Sequence, residues 1–184
     1  MKDLSLNLLD IAENSVKAEA TLTQLLLTQE GELLTFQVVD NGKGMTEEVL
    51  KGVVDPFYTT RTTRKVGLGL PLLRMAAEMT GGTMTVESRH FETHPDDHGT
   101  VVTAVFHTDH IDCPPVGDLV ATVTTLIQGH PDTDFYFRHA INGAAVELDT
   151  RELRAVLGDV SLAEYEVLQW ITGFLQDQYN PQDT

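Results

Sequence analysis

The hydrophobic period of this sequence switches repeatedly before residue 110, and that switching limits the folds open to it. Leu4, Leu8, Ile11 and Ala12 recur at helical spacing, while Asp10, Glu13, Asn14 and Lys17 form a polar stripe on the opposite side. The segment therefore reads as an amphipathic helix with an organised polar face. Two strand-like runs follow, Leu22 to Thr28 and Leu33 to Val39, separated by Glu30, Gly31 and Glu32 as a hairpin loop. Thr46, Glu47 and Glu48 supply a capping hydroxyl and early carboxylates for a short helix to about Val53. A longer helix is predicted from Leu68 to Met79, with Pro71 tolerated in its first turn and Gly81 and Gly82 ending it. Thr83 to Ser88 and Thr100 to Phe106 then alternate as strands. Helix, two strands, helices, two strands is the order of an α+β two-layer sandwich with helices on one face of a sheet.

The stretch Asp109 to Pro115 has turn chemistry and no period. It reads as a linker between an expected unit of residues 1–110 and a smaller α+β accessory unit of residues 111–184. In the second unit Val116, Leu119, Val120, Val123, Leu126 and Ile127 make a helical stripe. Asp134 to Arg138 and Ala144 to Leu148 read as strands joined around Asn142-Gly143, a strong hairpin signal. Asp149 with Glu152, and Ser161 with Glu164, are capping-box pairs, the latter flanked by a Val160 and Tyr165 staple. They predict helices over Thr150 to Leu157 and Leu162 to Gln178.

Charge narrows the function. Twelve Lys plus Arg against 28 Asp plus Glu give a net charge of −16, which opposes binding to nucleic acid or anionic membrane through the general protein field. After residue 110 the basic residues are Arg138, Arg151 and Arg154 against twelve acidic ones, so a basic protein partner is expected to meet that half. The helix, Gly158 turn and helix near the end mimic a helix-turn-helix, but so acidic a segment is not expected to read DNA. Apolar runs such as Leu119 to Ile127 are too short and threonine-rich to cross a bilayer of roughly 30 Å. The start Met1-Lys2-Asp3 has no signal-peptide pattern, and the single cysteine, Cys113, has no internal disulfide partner. A cytoplasmic protein is the expectation.

Two glycine turns carry the chemistry. Val38-Val39-Asp40-Asn41-Gly42-Lys43-Gly44-Met45 puts an acid at the end of an apolar strand and a glycine-rich turn directly after it. Glycine lets backbone approach a flat ligand, and a carboxylate accepts hydrogen bonds from an exocyclic amine such as that of adenine. The same string also fits an ordinary tight turn. Gly67 and Gly69 open the helix near Leu68, where free N–H groups favour phosphate. Arg61, Arg64 and Lys65 lie just before it, three of the chain's 12 basic residues, as an anion site or else a solvated basic loop. A dinucleotide fingerprint fails here, because the third glycine position is Leu72 and Arg61 to Lys65 is no buried strand; no P-loop string occurs either. His94, Asp96 and His98 recur at short spacing, but in a turn-rich loop that argues against a metal site.

Four strings, in order and spacing, resemble the boxes of the GHKL superfamily of ATP-binding domains. That superfamily includes gyrase-type and mismatch-repair ATPases, histidine-kinase catalytic domains and anti-sigma serine kinases. Leu9-Asp10-Ile11-Ala12-Glu13-Asn14-Ser15 is similar to its N box, and Asp40 to Met45 to its first glycine box. Asp55-Pro56-Phe57-Tyr58-Thr59-Thr60-Arg61 is similar to the F box, and Val66-Gly67-Leu68-Gly69-Leu70 to the second glycine box. The resemblance covers about residues 1–108 and implies a GHKL-type sandwich that binds ATP and Mg²⁺. By position it implies that Asp40 hydrogen-bonds the adenine amine, with Thr100 supporting it through water. It implies that Asn14 holds Mg²⁺ and that Lys17 meets a phosphate. Phe57 to Val66 would be a lid with Arg61 on phosphate, and the Gly67 to Leu70 turn would supply backbone donors. Gly42, Gly44, Met45, Phe57, Thr60, Leu68 and Gly69 complete the implied nucleotide contacts.

Hydrolytic members of that superfamily place a Glu four residues before the metal-binding Asn. Here the position holds Asp10, on the same helical face as Asn14 but with one methylene fewer. Glu13 is an alternative acid. Sensor histidine kinases carry a helical dimerisation segment before the first box, and this sequence starts almost inside that box, so a self-contained sensor kinase is not expected. Three readings stand: ATP- and Mg²⁺-dependent phosphotransfer to, or regulation of, a protein partner; a non-catalytic ATP sensor controlling partner association; and a structural module. Assembly into a homodimer is left open.

Overall fold

The computed structural model describes residues 3–54 and 68–180. Twelve elements follow one another there: α1 (Leu4–Lys17), β1 (Leu22–Glu30), β2 (Leu33–Asp40), α2 (Glu47–Val54), α3 (Gly69–Met79), β3 (Thr83–Arg89), β4 (Gly99–His107), α4 (Leu119–Gly129), β5 (Asp134–Ile141), β6 (Ala144–Asp149), α5 (Thr150–Leu157) and α6 (Tyr165–Tyr179). The strands form one six-stranded sheet in the order β3-β4-β2-β1-β5-β6. Its pairs are antiparallel except β1 with β5, which run parallel from Leu22↔Asp134 to Gln29↔Ile141.

Strand alternation sets the layers. Leu25 and Leu27, Leu34, Phe36 and Val38, Val102, Ala104 and Phe106, and Phe135 and Phe137 are all buried, so one face of the sheet is the core face. Leu8 and Ile11 of α1, Leu73 and Ala77 of α3, Leu126 and Ile127 of α4, and Ile171 and Leu175 of α6 pack into the same cluster. The mixed α+β, two-layer expectation is met. Where residues 111–184 were expected as an accessory unit, β5 and β6 dock onto the β1 edge, and the described residues 111–180 send apolar side chains into this shared core.

The linker also serves α1. The Pro115 and Val116 carbonyls accept from the Leu4 and Ser5 N–H groups at 2.9 and 2.8 Å, and the Asp3 carboxylate accepts from Leu6 N–H. These bonds satisfy donors that a helix start leaves open. Val116 therefore precedes its predicted helix, which Asp118 caps through the Ala121 N–H. The last helix begins at Tyr165 and not at Leu162, because Ser161 closes a turn in which its carbonyl accepts from Glu164 N–H and its hydroxyl from Ala163 N–H. Asn142 and Gly143 both have positive φ, 47° and 93°, the backbone that a type I′ hairpin requires. At the sheet edge, the Gln178 amide pairs with both the N–H and the carbonyl of Glu147, at 2.9 and 3.0 Å. That contact occupies part of an otherwise open strand edge.

His139 of β5 is buried, with its Nδ1 2.8 Å from the Tyr179 hydroxyl. Burial lowers the imidazole pKa from its ordinary value, and burial with the charge of Asp118 pushes Tyr179 up to about 12. An unfolded histidine titrates near about pH 6.5, so below that point the unfolded chain takes up a proton that the native chain refuses. The associated stability is complete above this value and is lost as pH falls through the lowered native pKa. The melting temperature is therefore expected to drop as pH is lowered from neutrality into the acid range, with a shallower dependence in His139→Gln. Identical pH dependence in the two proteins would remove His139 as a cause.

Candidate functional site

The site begins where β2 ends. Val38 points into the core, so Asp40, two residues further along, faces the same side, opposite Thr100 of β4. Its carboxylate is held from two directions: Oδ1 accepts from the Gly42 N–H at 2.9 Å and Oδ2 from the Ser15 hydroxyl at 2.7 Å. Each carboxylate oxygen keeps a second lone pair, so the group is oriented and still able to accept from a ligand.

The glycine turn after Asp40 is pinned by its neighbours. Met45 N–H donates to Ser88 Oγ at 2.8 Å, and Ser88 Oγ lies 2.8 Å from Thr100 Oγ1. Lys43 N–H donates to the Ala18 carbonyl at 2.8 Å. His98 Nδ1 lies 2.5 Å from the Gly42 carbonyl, which can only accept, so the imidazole proton sits on Nδ1. His98 is thus a support of the turn. Among the described residues no group of three or more His, Cys, Asp or Glu is placed to hold a metal ion. Gly44, at φ +70°, is needed outright: a Cβ there would fall 1.9 Å from the Arg89 carbonyl oxygen.

A cavity of about 390 Å³ opens above Asp40. Its walls are apolar, from Ile11, Met45, Val49, Val53, Leu70 and Val102; Asp40, Ser15 and Thr100 add polar groups, as do the exposed Asn14 and Lys17 of α1. Of the residues named from the sequence, the structure brings Asn14, Lys17, Asp40, Gly44, Met45, Leu70 and Thr100 to this one lining. Gly42 stands behind it, buried against Ala18 and bonded to Asp40. Leu68 and Gly69 are not in the lining, but Gly69 opens α3 directly against α1, where a Cβ would meet Asp10 Cβ at 3.6 Å and Ile11 Cδ1 at 3.7 Å. Phe57, Thr60, Arg61 and Gly67, with the rest of the F box and the basic residues Arg64 and Lys65, lie outside the described residues.

Asp10 is exposed on α1 and is not part of the lining. Glu13, the alternative acid, is committed elsewhere: its Oε1 lies 2.9 Å from His130 Nε2, at the end of α4. Lys43 pairs with Glu19 at 2.9 Å. Sequence reading passed over Ser15, because its link to Asp40 spans 25 positions. The only local signal is a generic one: a helical serine can return its hydroxyl to the carbonyl one turn back, as Ser15 also does to Ile11 at 3.4 Å. Val49, Val53 and Val102 carried no such signal, because an apolar wall and an apolar core position look alike in a sequence.

Residues 2–110 match the family of histidine kinase-, DNA gyrase B- and HSP90-like ATPases. The sensor histidine kinase YvrG of Bacillus subtilis (strain 168) is 33% identical over 99 residues, covering 50% of this chain and 16% of that protein. The sensor histidine kinase ZraS of Klebsiella oxytoca is 32% identical over 88 residues, covering 48% of this chain and 19% of its own length. The chain thus spans less than a fifth of these curated relatives. Among solved structures, the N-terminal domain of a DNA repair protein superposes with a TM-score of 0.56 at 16% identity, over 86% of this chain and 58% of that one. That likeness is one of fold, and it extends beyond the family match into the C-terminal strands and helices. Among the described residues no helix is long and apolar enough to cross a membrane. The chain belongs to the histidine kinase-, DNA gyrase B- and HSP90-like ATPase family.

Proposed function

We propose that this member of the family binds ATP with Mg²⁺ and uses it to phosphorylate, or otherwise regulate, a protein partner. The observation that carries the reading is the convergence of Asn14, Lys17, Asp40, Gly44, Met45, Leu70 and Thr100 on one cavity. The cavity suits a purine. Apolar walls exclude water from its faces, and the oriented Asp40 carboxylate can accept from the exocyclic amine. Asn14 offers an amide oxygen, a hard ligand of the type that Mg²⁺ takes alongside several waters. Lys17, one helical turn further along, offers charge to a phosphate. When bound, ATP supplies the transferable phosphoryl group, and the task of this chain is to orient it and to handle the acceptor's proton.

Asp10 is our candidate for that proton. It stands one turn before Asn14 on α1, beside the start of α3 at Gly69, and a general base of this kind contributes about 10²–10⁴-fold to rate. Glu13 is withdrawn as an alternative by its pairing with His130. The exposed position of Asp10 outside the cavity lining also favours a second reading, in which nucleotide changes partner affinity without turnover. Asp10→Ala separates the two. A kinase is expected to lose transfer by about 100-fold or more while keeping its ATP affinity. A sensor keeps both its ATP affinity and its nucleotide-dependent binding of the partner.

Nucleotide binding itself is tested by melting the chain with Mg²⁺ and a non-hydrolysable ATP analogue. Ligand at 100 times its Kd adds about 2.7 kcal/mol, and for a chain of this size each kcal/mol raises the melting point by about 2–4 °C. A shift of several degrees is expected. An unmoved transition at millimolar analogue counts against any nucleotide function and favours a structural module.

A further inference from the structure

The helices α5 and α6 display an apolar surface that the fold does not use. Val167, Leu168, Ile171 and Leu175 of α6 face the core. Trp170 and Phe174, one helical turn apart, form a second apolar stripe on the outside, with rings stacked at 4.8 Å and 52% and 38% of their surfaces exposed. On α5, Val156 is 86% exposed. A helix with apolar stripes on two sides is expected to be covered on both. Two adjoining grooves of about 400 and 430 Å³ both have Leu153 and Trp170 in their linings, the larger reaching over β5 and β6 as well; together they form the trough beside α5 and α6.

Charge identifies what covers it. Arg138, Arg151 and Arg154 are each ion-paired within the chain, to Glu147, Asp149 and Asp134. Glu152 and Glu166, which line the trough, have no ion pair among the described residues. The segment after residue 110 has nine more acidic than basic side chains. A second copy would set this carboxylate-bearing face against another chain of charge −16, and like charges across an interface are strongly disfavoured. We propose that the trough between α5 and α6 is a docking groove for a basic amphipathic helix of a partner protein. Apolar anchors at helical spacing would sit over Leu153, Val156 and Trp170, with Lys or Arg at the flanks meeting Glu152 and Glu166.

The proposal rests on the surface alone and its test needs no nucleotide, so its failure and that of the ATP reading are separate results. The probe is a synthetic helical peptide lacking Trp, with Leu along one face and Lys and Arg elsewhere. Trp170, the only tryptophan of the chain, reports binding. A saturable blue shift of its emission is expected. Affinity should fall about tenfold or more for a peptide of the same composition shuffled so that its Leu residues share no face, a difference of about 1.4 kcal/mol. Val156→Asp, at a position outside the core, and the charge reversals Glu152→Lys and Glu166→Lys should each weaken binding comparably. Added salt should weaken it too. Equal affinity for the shuffled peptide, or no emission change with the helical one, overturns the proposal. So does a dimer in light scattering of the free chain that Val156→Asp dissolves, since the occupant is then a second copy.

Discussion

Asp40→Asn is expected to lower ATP affinity about ten- to hundred-fold while leaving the fold nearly intact. The two effects separate because the carboxylate has two kinds of partner. Within the chain it accepts one bond on each oxygen, from Gly42 N–H and the Ser15 hydroxyl. An asparagine keeps the first with its amide oxygen, and Ser15 can turn to accept from the new NH₂, so the structural cost is about 1 kcal/mol. Toward the cavity the exchange is harsher, because an acceptor becomes a donor facing the donor amine of adenine. A hydrogen bond to a charged group is worth about 1.5–3 kcal/mol, and each 1.4 kcal/mol is about tenfold in affinity. Guanine presents a carbonyl where adenine presents its amine, so the preference for ATP over GTP should shrink in the same variant. Calorimetry with non-hydrolysable analogues of both nucleotides reads the two numbers together. Unchanged ATP affinity with an unchanged preference would take Asp40 out of the site, and the adenine end of the reading with it.

That separation could be anticipated only in part from the sequence. The position of Asp40 at a strand end, the glycine turn behind it and the polar stripe of α1 were all legible, because each depends on neighbours within a few residues. So were the element boundaries in the first half, where period and capping residues agree. Ser15 was missed as the group that orients Asp40, since its role depends on a contact spanning 25 positions. The late start of α6 was missed for a local reason: the Ser161 hydroxyl and carbonyl have two uses, a helix cap or a turn, and the turn prevails here. Glu13 read as a possible member of the site until His130, 117 residues away, claimed its carboxylate. The largest gap was β5. Nothing in Asp134 to Ile141 announces that it will lie parallel to β1, because a parallel pair leaves no hairpin signal and its register is set entirely by the core it completes.

Phe137→Ala is the sharpest test of that completion. Phe137 has no solvent exposure and sits opposite Leu25 of β1, in the sheet shared by the two halves of the chain. Truncating a buried phenylalanine costs about 3–5 kcal/mol, through lost transfer energy and the cavity left behind. For a chain of this length that is about 6–20 °C of melting temperature. More telling than the size is which parts move. If residues 111–184 share one cooperative core with residues 4–107, the Trp170 emission, which reports α6, and the far-UV signal, which reports every element, must fall together at the lowered temperature. Binding of the ATP analogue should raise both transitions equally, although its cavity is lined entirely by residues before 103. Two separated transitions, with only the Trp170 signal shifted by the mutation and only the other raised by nucleotide, would instead mean that the shared sheet joins two independently folding units. The parallel pairing of β1 with β5 would then be an interface, and the linker at Asp109 to Pro115 a true boundary.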